Sequence, residues 1–304
     1  MTRVFKIGLG NSTQTLHSLS WAEIIYIENV FMITCVVCGE SDSEILYPSL
    51  KINRCRCGHI YYTGGLGEEE IKNLYSEDYF MGGEYADYKN DKNVIQRNFR
   101  NRLKVVKRYI SNGKLLEIGS AYGFFLDLAR EIFDVIGYEM CSEAAECARS
   151  ELKLDVRDTD FVKENLGNKI FDVVCLWDCI EHLPSPQLFI EKINTLLKLG
   201  GYLFITTGDI GSLLPRIQGK AWRLIHPPTH VHYFSRKSIT NLLKHFQFEV
   251  IEVRYPGIWR SNRQLVAELF KLKKLARYIP GCCWLNTFDI MEVIAKKKED
   301  YRRK

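Results

Sequence analysis

The stretch 115–125, Leu-Leu-Glu-Ile-Gly-Ser-Ala-Tyr-Gly-Phe-Phe, most constrains what this chain of 304 residues can fold into. Its apolar first half predicts a short buried strand around Glu117. Gly119 and Gly123 let the backbone turn and approach a ligand at positions where a side chain would intrude. A helix that begins near Tyr122 would point free N–H groups at the same turn. The pattern therefore predicts a strand, a ligand-binding turn and a helix in direct succession.

The glycine spacing separates two classes of ligand that such a turn can bind. Dinucleotide folds use Gly-x-Gly-x-x-Gly, in which the second glycine admits a pyrophosphate and the third allows close helix packing. Counted from Gly119, those two positions hold Ala121 and Phe124. The phenylalanine argues against a diphosphate site, although an NAD-dependent oxidoreductase would use the same turn and stays an alternative. The stretch resembles the first motif of the class I S-adenosylmethionine-dependent methyltransferases, with Ala121 replacing a frequent middle glycine.

Three later segments resemble the same family in the same order. Residues 134–139 read as a second strand that ends in an acid, about 20 residues after the turn, where such folds hold a ribose diol. Residues 171–183 are similar to the "FDvv…EHl" segment of the small-molecule methyltransferases of this class. Gly200-Gly201, followed by residues 202–207, resembles the family's glycine pair and strand after the fourth helix. The resemblance covers 93–298 and implies a Rossmann-like α/β fold with a seven-stranded sheet whose last strand is antiparallel.

Strand and helix patterns alternate along the chain, which predicts a sheet covered by helices on both faces. The predicted strands are 114–118, 134–139, 153–157, 171–177, 201–207, 247–254 and 289–296. The predicted helices are 93–110, 122–132, 142–151, 186–198 and 236–246. In such sheets a ligand lies at the carboxyl ends of the strands, which is where the motifs above end.

The resemblance also implies how S-adenosylmethionine would bind. Its carboxylate would face the turn 119–123, its ammonium would lie within reach of Glu117, and its ribose would meet Glu139. Asp160 would bond the adenine amino group, with nearby Asp158 as a competitor. The other residues implied to contact the cofactor are Gly119, Ser120, Ala121, Tyr122 and Gly123 in the turn, Met140 and Phe161 beside the adenine ring, and Trp177 and Asp178 on the methyl side.

Histidines are the candidates for the base that an acceptor hydroxyl would need, since imidazole transfers protons near neutral pH. His182 follows the fourth main strand, and three of the seven histidines fall within 226–232. That segment resembles the acceptor-side loop of small-molecule and sugar methyltransferases. We expect His230 as the first candidate, then His182, then His232. A stiff loop with backbone-bonded histidines is the alternative, and a metal site within 226–232 is not favoured because no carboxylate or cysteine accompanies it.

Two cysteine pairs near the amino terminus look like the knuckles of a zinc ribbon. Cys35 and Cys38 form a C-x-x-C pair, and Cys55 and Cys57 form a C-x-C pair, each followed by glycine. Paired thiolates at this spacing converge on one tetrahedral Zn²⁺, and the glycines permit turns that aim backbone amides at sulfur. Four protein ligands would make the zinc structural. The second knuckle is one residue short, which could bring in His59 as a substitute ligand; unliganded thiols are the other alternative.

Composition limits the partners and the compartment. The net charge is +5, of which residues 296–304 contribute +4 through six basic and two acidic residues, so the rest is nearly neutral. This balance does not favour a nucleic-acid partner. Ten cysteines without a secretory leader favour a reducing, cytoplasmic location. No apolar run reaches about 18 residues, the length that predicts a membrane span.

The sequence is therefore interpreted as a methyltransferase that acts on a small molecule, at a hydroxyl oxygen first and a sugar carbon second. A zinc-ribbon binding module with an inactive core is a further alternative. The predicted organisation is a weakly ordered extension at 1–31, upstream of the true start if translation begins at Met32, a zinc-ribbon-like module at 32–64, a linker and helical cap at 65–112, the methyltransferase domain at 113–298 and a charged tail at 299–304.

Overall fold

The computed structural model describes residues 34–65, 67, 88–167, 170–263, 265–266 and 279–302. The predicted extension 1–31 and most of the predicted linker before residue 88 lie outside this described part. Residues from Cys35 onward form one compact unit.

The strands alternate with helices along most of the chain, as the sequence predicts. The strands are β1 Ser43–Tyr47, β2 Ile52–Cys55, β3 Ile60–Tyr62, β4 Gly113–Ile118, β5 Phe133–Tyr138, β6 Val156–Arg157, β7 Phe171–Trp177, β8 Leu197–Gly208, β9 His232–Tyr233, β10 Phe248–Arg254, β11 Ile258–Ser261, β12 Cys282–Leu285 and β13 Ile290–Lys297. The α-helices are α1 Lys92–Tyr109, α2 Phe124–Ala129, α3 Ser142–Leu152, α4 Pro186–Leu196, α5 Leu213–Gln218 and α6 Arg236–His245. Single 3₁₀ turns lie at Pro48–Leu50, Ile180–His182 and Gly219–Ala221.

The largest sheet among the described residues has seven strands in the order β10-β13-β8-β7-β4-β5-β6. Strands β8, β7, β4, β5 and β6 are parallel. Strand β13, the last in sequence, pairs antiparallel with both of its neighbours. The predicted seven-stranded sheet with an antiparallel last strand is therefore confirmed. The carboxyl ends of β4, β5 and β7 lie side by side at one edge.

Continuous apolar runs form the central strands because both faces of the sheet are covered. Leu115 and Leu116 are fully buried and belong to different core clusters, one on each face. Val173 and Val174 in the neighbouring strand divide in the same way. This alternation with a period of two residues is what a strand between two helical layers requires.

Two predicted boundaries are wrong for a backbone reason. The helix after the turn begins at Phe124 rather than at residue 122, because Ala121 and Gly123 have left-handed φ angles of 47° and 74° that a helix excludes. Strand β8 begins at Leu197 rather than at residue 201, so the pair Gly200-Gly201 lies inside it. Gly200 has a φ of 79°, and the pairing of β8 with β7 is irregular at this point, as in a β-bulge.

A second sheet joins the cysteine-containing segment to the main domain. Strands β1, β2 and β3 form an antiparallel meander, and β9 pairs with β3 through Ile60 opposite Tyr233 and Tyr61 opposite His232. Strand β9 was not predicted, since its two residues are too few to show periodicity. The predicted 32–64 segment is thus hydrogen-bonded to the histidine-rich loop.

Among the described helices, none has both the length and the apolar character that crossing a membrane requires.

The start of β13 is fixed by a buried carboxylate, Asp289. Its side chain is fully buried and accepts hydrogen bonds from the indole of Trp222 (2.8 Å), from Arg223 (3.2 Å) and from Thr287. Burial alone would raise the pKa of Asp289, but the Arg223 charge and these donors lower it below its ordinary value of 3.8. The contribution of Asp289 to stability is therefore complete above pH 3.8 and is lost as pH falls through the lowered pKa.

We predict that Asp289→Asn lowers the free energy of unfolding by about 1–3 kcal/mol at neutral pH. The difference between wild type and variant should shrink as the pH falls below 3.8, the ordinary pKa of this carboxyl. Thermal denaturation at a series of pH values measures it. Asp134→Asn, at an exposed pair with Lys114 (3.6 Å), is the control; an equal loss in both variants would contradict the role of Asp289.

Candidate active site

The turn between β4 and α2 has a sharply folded backbone. Gly119, Ala121 and Gly123 have φ angles of 77°, 47° and 74°. The N–H groups of Gly119 and Ser120 both donate to the carbonyl of Tyr138, at 2.8 and 3.0 Å, which ties the turn to the end of β5. A left-handed backbone costs a residue with a Cβ about 1–2 kcal/mol. Ala121 adopts it where a glycine would not be strained.

Glycine is required at two positions of this turn for steric reasons. A Cβ on Gly119 would lie 2.8 Å from the sulfur of Cys179, and one on Gly123 would lie 2.6 Å from a methyl of Leu154. Both distances are shorter than van der Waals contact. The two predicted glycines are therefore placed where the turn passes closest to its neighbours.

The Glu139 carboxylate is held at the end of β5. Its two oxygens accept hydrogen bonds from the backbone N–H groups of Ala121 (2.7 Å) and Cys141 (2.8 Å). Burial raises the pKa of Glu139, and these N–H donors oppose that shift. The acid at the end of the second main strand is thus fixed directly beside the turn.

Glu117 is a buried carboxylate at the heart of the site. Its side chain is 1% exposed, and its Oε2 has no hydrogen-bond partner among the described residues. Burial raises the pKa of Glu117 well above its ordinary value, with the charge of Arg102 acting in the opposite direction. A buried carboxylate oxygen without a partner is costly, and a cationic ligand group would satisfy it.

Arg102 from α1 was not predicted, although it reaches the end of β7. Its guanidinium lies 2.7 Å from the Asp178 carboxylate and 5.0 Å from the centre of the Trp177 ring. Burial would raise the pKa of Asp178, but the charge of Arg102 and its hydrogen bond outweigh this effect. The pKa of Asp178 therefore lies below its ordinary value, and the carboxylate stays ionised. The indole N–H of Trp177 is buried without a partner among the described residues. A basic amphipathic helix gives no sequence signal that one of its arginines turns inward.

The residues predicted beside the adenine ring lie farther along the same edge. Phe161 is buried against Tyr138, with ring centres 5.1 Å apart. Met140 is 56% exposed. Asp160 accepts from the N–H of Val162 (3.0 Å) and pairs with Lys163 (3.1 Å). Its predicted competitor Asp158 pairs instead with Arg149 at 3.5 Å.

A cavity of about 330 Å³ opens next to Asp178, between α1, the segment 223–230 and β11. The side chains that line it include Arg102, Asp178, His182, Arg223, His230 and Trp259. Trp259 forms a wall because its backbone N–H and C=O are both bonded to the Asn98 side chain at 2.8 Å, and Arg97 stacks on its ring. The pairing of β11 with β12 that supports this wall was not predicted.

Two of the three predicted catalytic histidines meet at this cavity. The Nδ1 atoms of His182 and His230 lie 2.9 Å from the carbonyl oxygens of Thr229 and Leu224, and the ring centres are 4.5 Å apart. Since a carbonyl only accepts, each Nδ1 carries the proton and each neutral ring keeps its lone pair on Nε2. Burial lowers the pKa of His182 to about 4 and that of His230 well below its ordinary value.

His232 is separated from these two rings. Its Nδ1 lies 3.1 Å from Nε2 of His59, and its Nε2 lies 3.3 Å from the carbonyl of Pro184. It does not line the 330 Å³ cavity. His59, considered from sequence as a substitute metal ligand, is therefore hydrogen-bonded to His232.

The four predicted metal-ligating cysteines converge at the amino-terminal end of the described chain. Sulfur distances are 3.7 Å from Cys35 to Cys57 and 3.5 Å from Cys38 to Cys55, and all four sulfurs lie within 4.8 Å of one another. A tetrahedral zinc with bonds of about 2.3 Å would place its sulfurs about 3.8 Å apart. The glycines that follow the pairs have left-handed φ angles of 77° and 93°. The donor set thus fits a structural zinc.

Comparison with known proteins identifies the family. A family model described as "Methyltransferase domain" matches residues 90–253, which is more than half of the chain. The chain therefore belongs to this methyltransferase family, and the resemblance to the class I S-adenosylmethionine-dependent enzymes is confirmed.

Curated relatives include the ubiquinone biosynthesis O-methyltransferases of Pectobacterium atrosepticum and Vibrio parahaemolyticus. The first is 31% identical over 101 residues, 31% of this chain and 42% of the relative. The second is 33% identical over 132 residues, 39% of this chain and 55% of the relative. The chain thus spans about half the length of the curated relatives it matches.

Solved structures share the fold. A chain from the complex between the Haloferax volcanii Trm112 methyltransferase activator and a candidate methyltransferase aligns with a TM-score of 0.53 at 14% identity, covering 76% of this chain and 98% of that one. A candidate methyltransferase of Bacillus halodurans aligns with a TM-score of 0.51 at 12% identity, covering 66% of this chain and 98% of that one.

We predict that Gly119→Ala weakens binding of S-adenosylhomocysteine at least about tenfold, since the added methyl group displaces the turn against Cys179. Gly167→Ala is the matched control because Gly167 has a φ of 78° with open space at its Cβ position. Calorimetric titration of both variants measures the affinity. Equal losses in the two variants would mean that backbone strain, not the turn, is responsible.

Proposed function

We propose that this S-adenosylmethionine-dependent methyltransferase transfers the methyl group to a hydroxyl oxygen of a small molecule bound in the 330 Å³ cavity. The observation that carries the proposal is the pair of neutral imidazoles, His182 and His230, which line that cavity beside the end of β7. The volume lies within the range of small-molecule sites. The names of the curated relatives, which are O-methyltransferases, also support oxygen.

The cofactor is proposed to lie along the edge formed by β4, β5 and β7. Glu117 would receive its ammonium, the turn at Gly119 its carboxylate and Glu139 its ribose hydroxyls. The unpartnered Oε2 of Glu117 and the two N–H bonds that orient Glu139 support these roles. The remaining proposed contacts come from three groups of residues: Ser120, Ala121, Tyr122 and Gly123 in the turn, Met140, Asp160 and Phe161 on the adenine side, and Trp177 and Asp178 on the methyl side.

When bound, S-adenosylmethionine supplies a methyl group on a sulfonium, which becomes a neutral thioether once the acceptor oxygen has taken the methyl. The protein's part is to align the acceptor and to accept its proton. His230 is the first candidate for the group that accepts the proton. Its Nδ1–H donates to the Leu224 carbonyl, so the neutral imidazole keeps a lone pair on Nε2 that can accept a proton. His182 is the second, and His232, which lies outside the cavity, is the third.

The cysteine cluster is proposed to hold a structural zinc that supports the acceptor-side loop. It packs in the same core cluster as Phe234, and β3 pairs with β9 directly after His230. The cluster also favours a sugar carbon as the second candidate acceptor, since sugar carbon methyltransferases join a cysteine-rich metal module to this core. All ten cysteines are free thiols, which supports the proposed cytoplasmic location.

We predict that His230→Ala lowers kcat by about 10²- to 10⁴-fold, the range expected when a positioned proton acceptor is removed. Its affinity for S-adenosylhomocysteine should stay unchanged, because His230 lies on the acceptor side. Turnover is measured as release of S-adenosylhomocysteine with a panel of phenols and sugars as acceptors.

His245→Ala is the control for that measurement, since His245 is an exposed histidine at the end of α6. Unchanged turnover in His230→Ala would remove His230 from the reaction. Methylation of a carbon acceptor alone in the panel would overturn the choice of oxygen.

We predict that replacing Cys35 and Cys57 by serine removes one zinc ion per chain and lowers the thermal midpoint of unfolding, since a structural zinc contributes directly to folding. Atomic absorption and thermal denaturation measure the two effects. Cys282→Ser in β12, away from the cluster, is the control. Full zinc content in the double variant would contradict the site.

A further inference from the structure

Three side chains beside the cavity meet the requirements of a second metal site. Glu181, His182 and His230 each offer one ligand atom, and these atoms lie within 4.8 Å of one another. Glu181 and His182 are neighbours in the 3₁₀ turn Ile180–His182 after β7, whereas His230 comes from the distant loop before β9. The carboxylate that the histidine-rich loop lacks in sequence is thus supplied by the fold.

Hydrogen bonds of the backbone hold the two segments together. The N–H of Val231 donates to the carbonyl of Glu181 at 3.0 Å, and the carbonyl of Val231 accepts from the N–H of Tyr62 at 2.8 Å. His230, which precedes Val231, is therefore fixed relative to Glu181 by main-chain bonds. The relative position of the two main-chain segments therefore does not depend on side-chain contacts.

Both imidazoles have the orientation that metal-binding histidines show. A histidine that ligates a metal usually donates its other ring N–H to a carboxylate or a backbone carbonyl, which fixes the tautomer. The Nδ1 atoms of His182 and His230 lie 2.9 Å from the carbonyls of Thr229 and Leu224. Nε2 is therefore the ring atom that each histidine would present to a metal.

We propose that Glu181, His182 and His230 bind a divalent first-row transition-metal ion that faces the acceptor cavity. Two imidazoles and one carboxylate form a ligand set that suits such ions and leaves coordination positions open. All three residues line the 330 Å³ cavity, so the open positions face the space proposed for the acceptor. A metal with bonds of about 2.1 Å would draw the three ligand atoms to about 3.0–3.4 Å from one another.

This inference rests on the proposed function, methylation of a hydroxyl in the cavity, and assigns activation of that hydroxyl to the ion in place of direct proton transfer to His230. A hydroxyl bound to the ion becomes more acidic, because the cation stabilises the oxyanion, and its proton passes to solvent. His230 would then act on the acceptor through the ion, since its Nε2 lone pair is occupied. The class of acceptor is one whose hydroxyl can coordinate a metal.

Cobalt(II) is the probe for this site, titrated into the full-length chain after one equivalent of zinc has been loaded into the cysteine site, so that the second site is left without metal. A site of nitrogen and oxygen ligands gives weak visible bands, whereas cobalt in the cysteine site gives strong thiolate charge-transfer bands in the near ultraviolet. We expect one equivalent of cobalt to bind without thiolate bands. Absence of binding, or thiolate bands alone, would overturn the proposal.

Variants connect the signal to the three ligands. Glu181→Gln keeps the side-chain shape and His230→Ala removes an imidazole, and each should weaken cobalt binding at least about tenfold. His245→Ala should bind cobalt as wild type does. Unchanged S-adenosylhomocysteine affinity in each variant verifies the fold, and cobalt binding that survives both ligand substitutions would overturn the proposal.

The same titration separates this proposal from the proposed function. Methylation of hydroxyl acceptors at full rate in an enzyme that holds zinc at the cysteine site alone, with no cobalt bound, would leave the function standing and overturn the metal site. Cobalt bound by all three ligands, with no hydroxyl methylated, would support the metal site and count against the choice of oxygen.

Discussion

The buried carboxylate of Glu117 is the constraint on which the rest of the site depends. It lies within β4, 1% exposed, with one oxygen that no described protein group satisfies. The ionised form is costly in such a position unless a cationic group compensates it, which is why burial raises the pKa of Glu117. Arg102 supplies part of that charge from α1, while pairing with Asp178 at 2.7 Å. A ligand that brings a further positive charge to Glu117 would therefore stabilise its ionised form.

Val231 connects the cysteine-containing sheet to the segment that follows β7. Its carbonyl is bonded to β3 of the cysteine-containing sheet, and its N–H is bonded to the carbonyl of Glu181 after β7. The proposed structural zinc at Cys35 and its partners would therefore stabilise the loop that carries His230, although these cysteines do not line the cavity. The small amino-terminal sheet is thus connected by main-chain hydrogen bonds to residues at the carboxyl edge of the large one.

Much of the fold follows from the sequence, because local patterns dictate it. The run 171–177 is apolar enough to specify a strand buried on both faces, and its predicted bounds are those observed. The glycines at 119 and 123 mark the turn in the sequence, and in the structure a Cβ at either position would collide with a neighbouring side chain. Contacts made across long sequence distances could not be predicted. Arg102 turning toward Asp178 is one example, and the meeting of Glu181 with His230 is another, since neither pair has a periodic signal.

The most direct test of the central claim is calorimetric titration of the purified full-length chain with S-adenosylhomocysteine and, separately, with NAD. Both ligands could approach a glycine turn of this kind, but only the first carries an ammonium for the proposed site at Glu117, and NAD carries a pyrophosphate, for which the turn lacks the second and third glycines of the dinucleotide motif. We expect saturable heat at one site per chain with S-adenosylhomocysteine and none with NAD. Saturable binding of NAD, with no heat from S-adenosylhomocysteine, would contradict the proposed cofactor site.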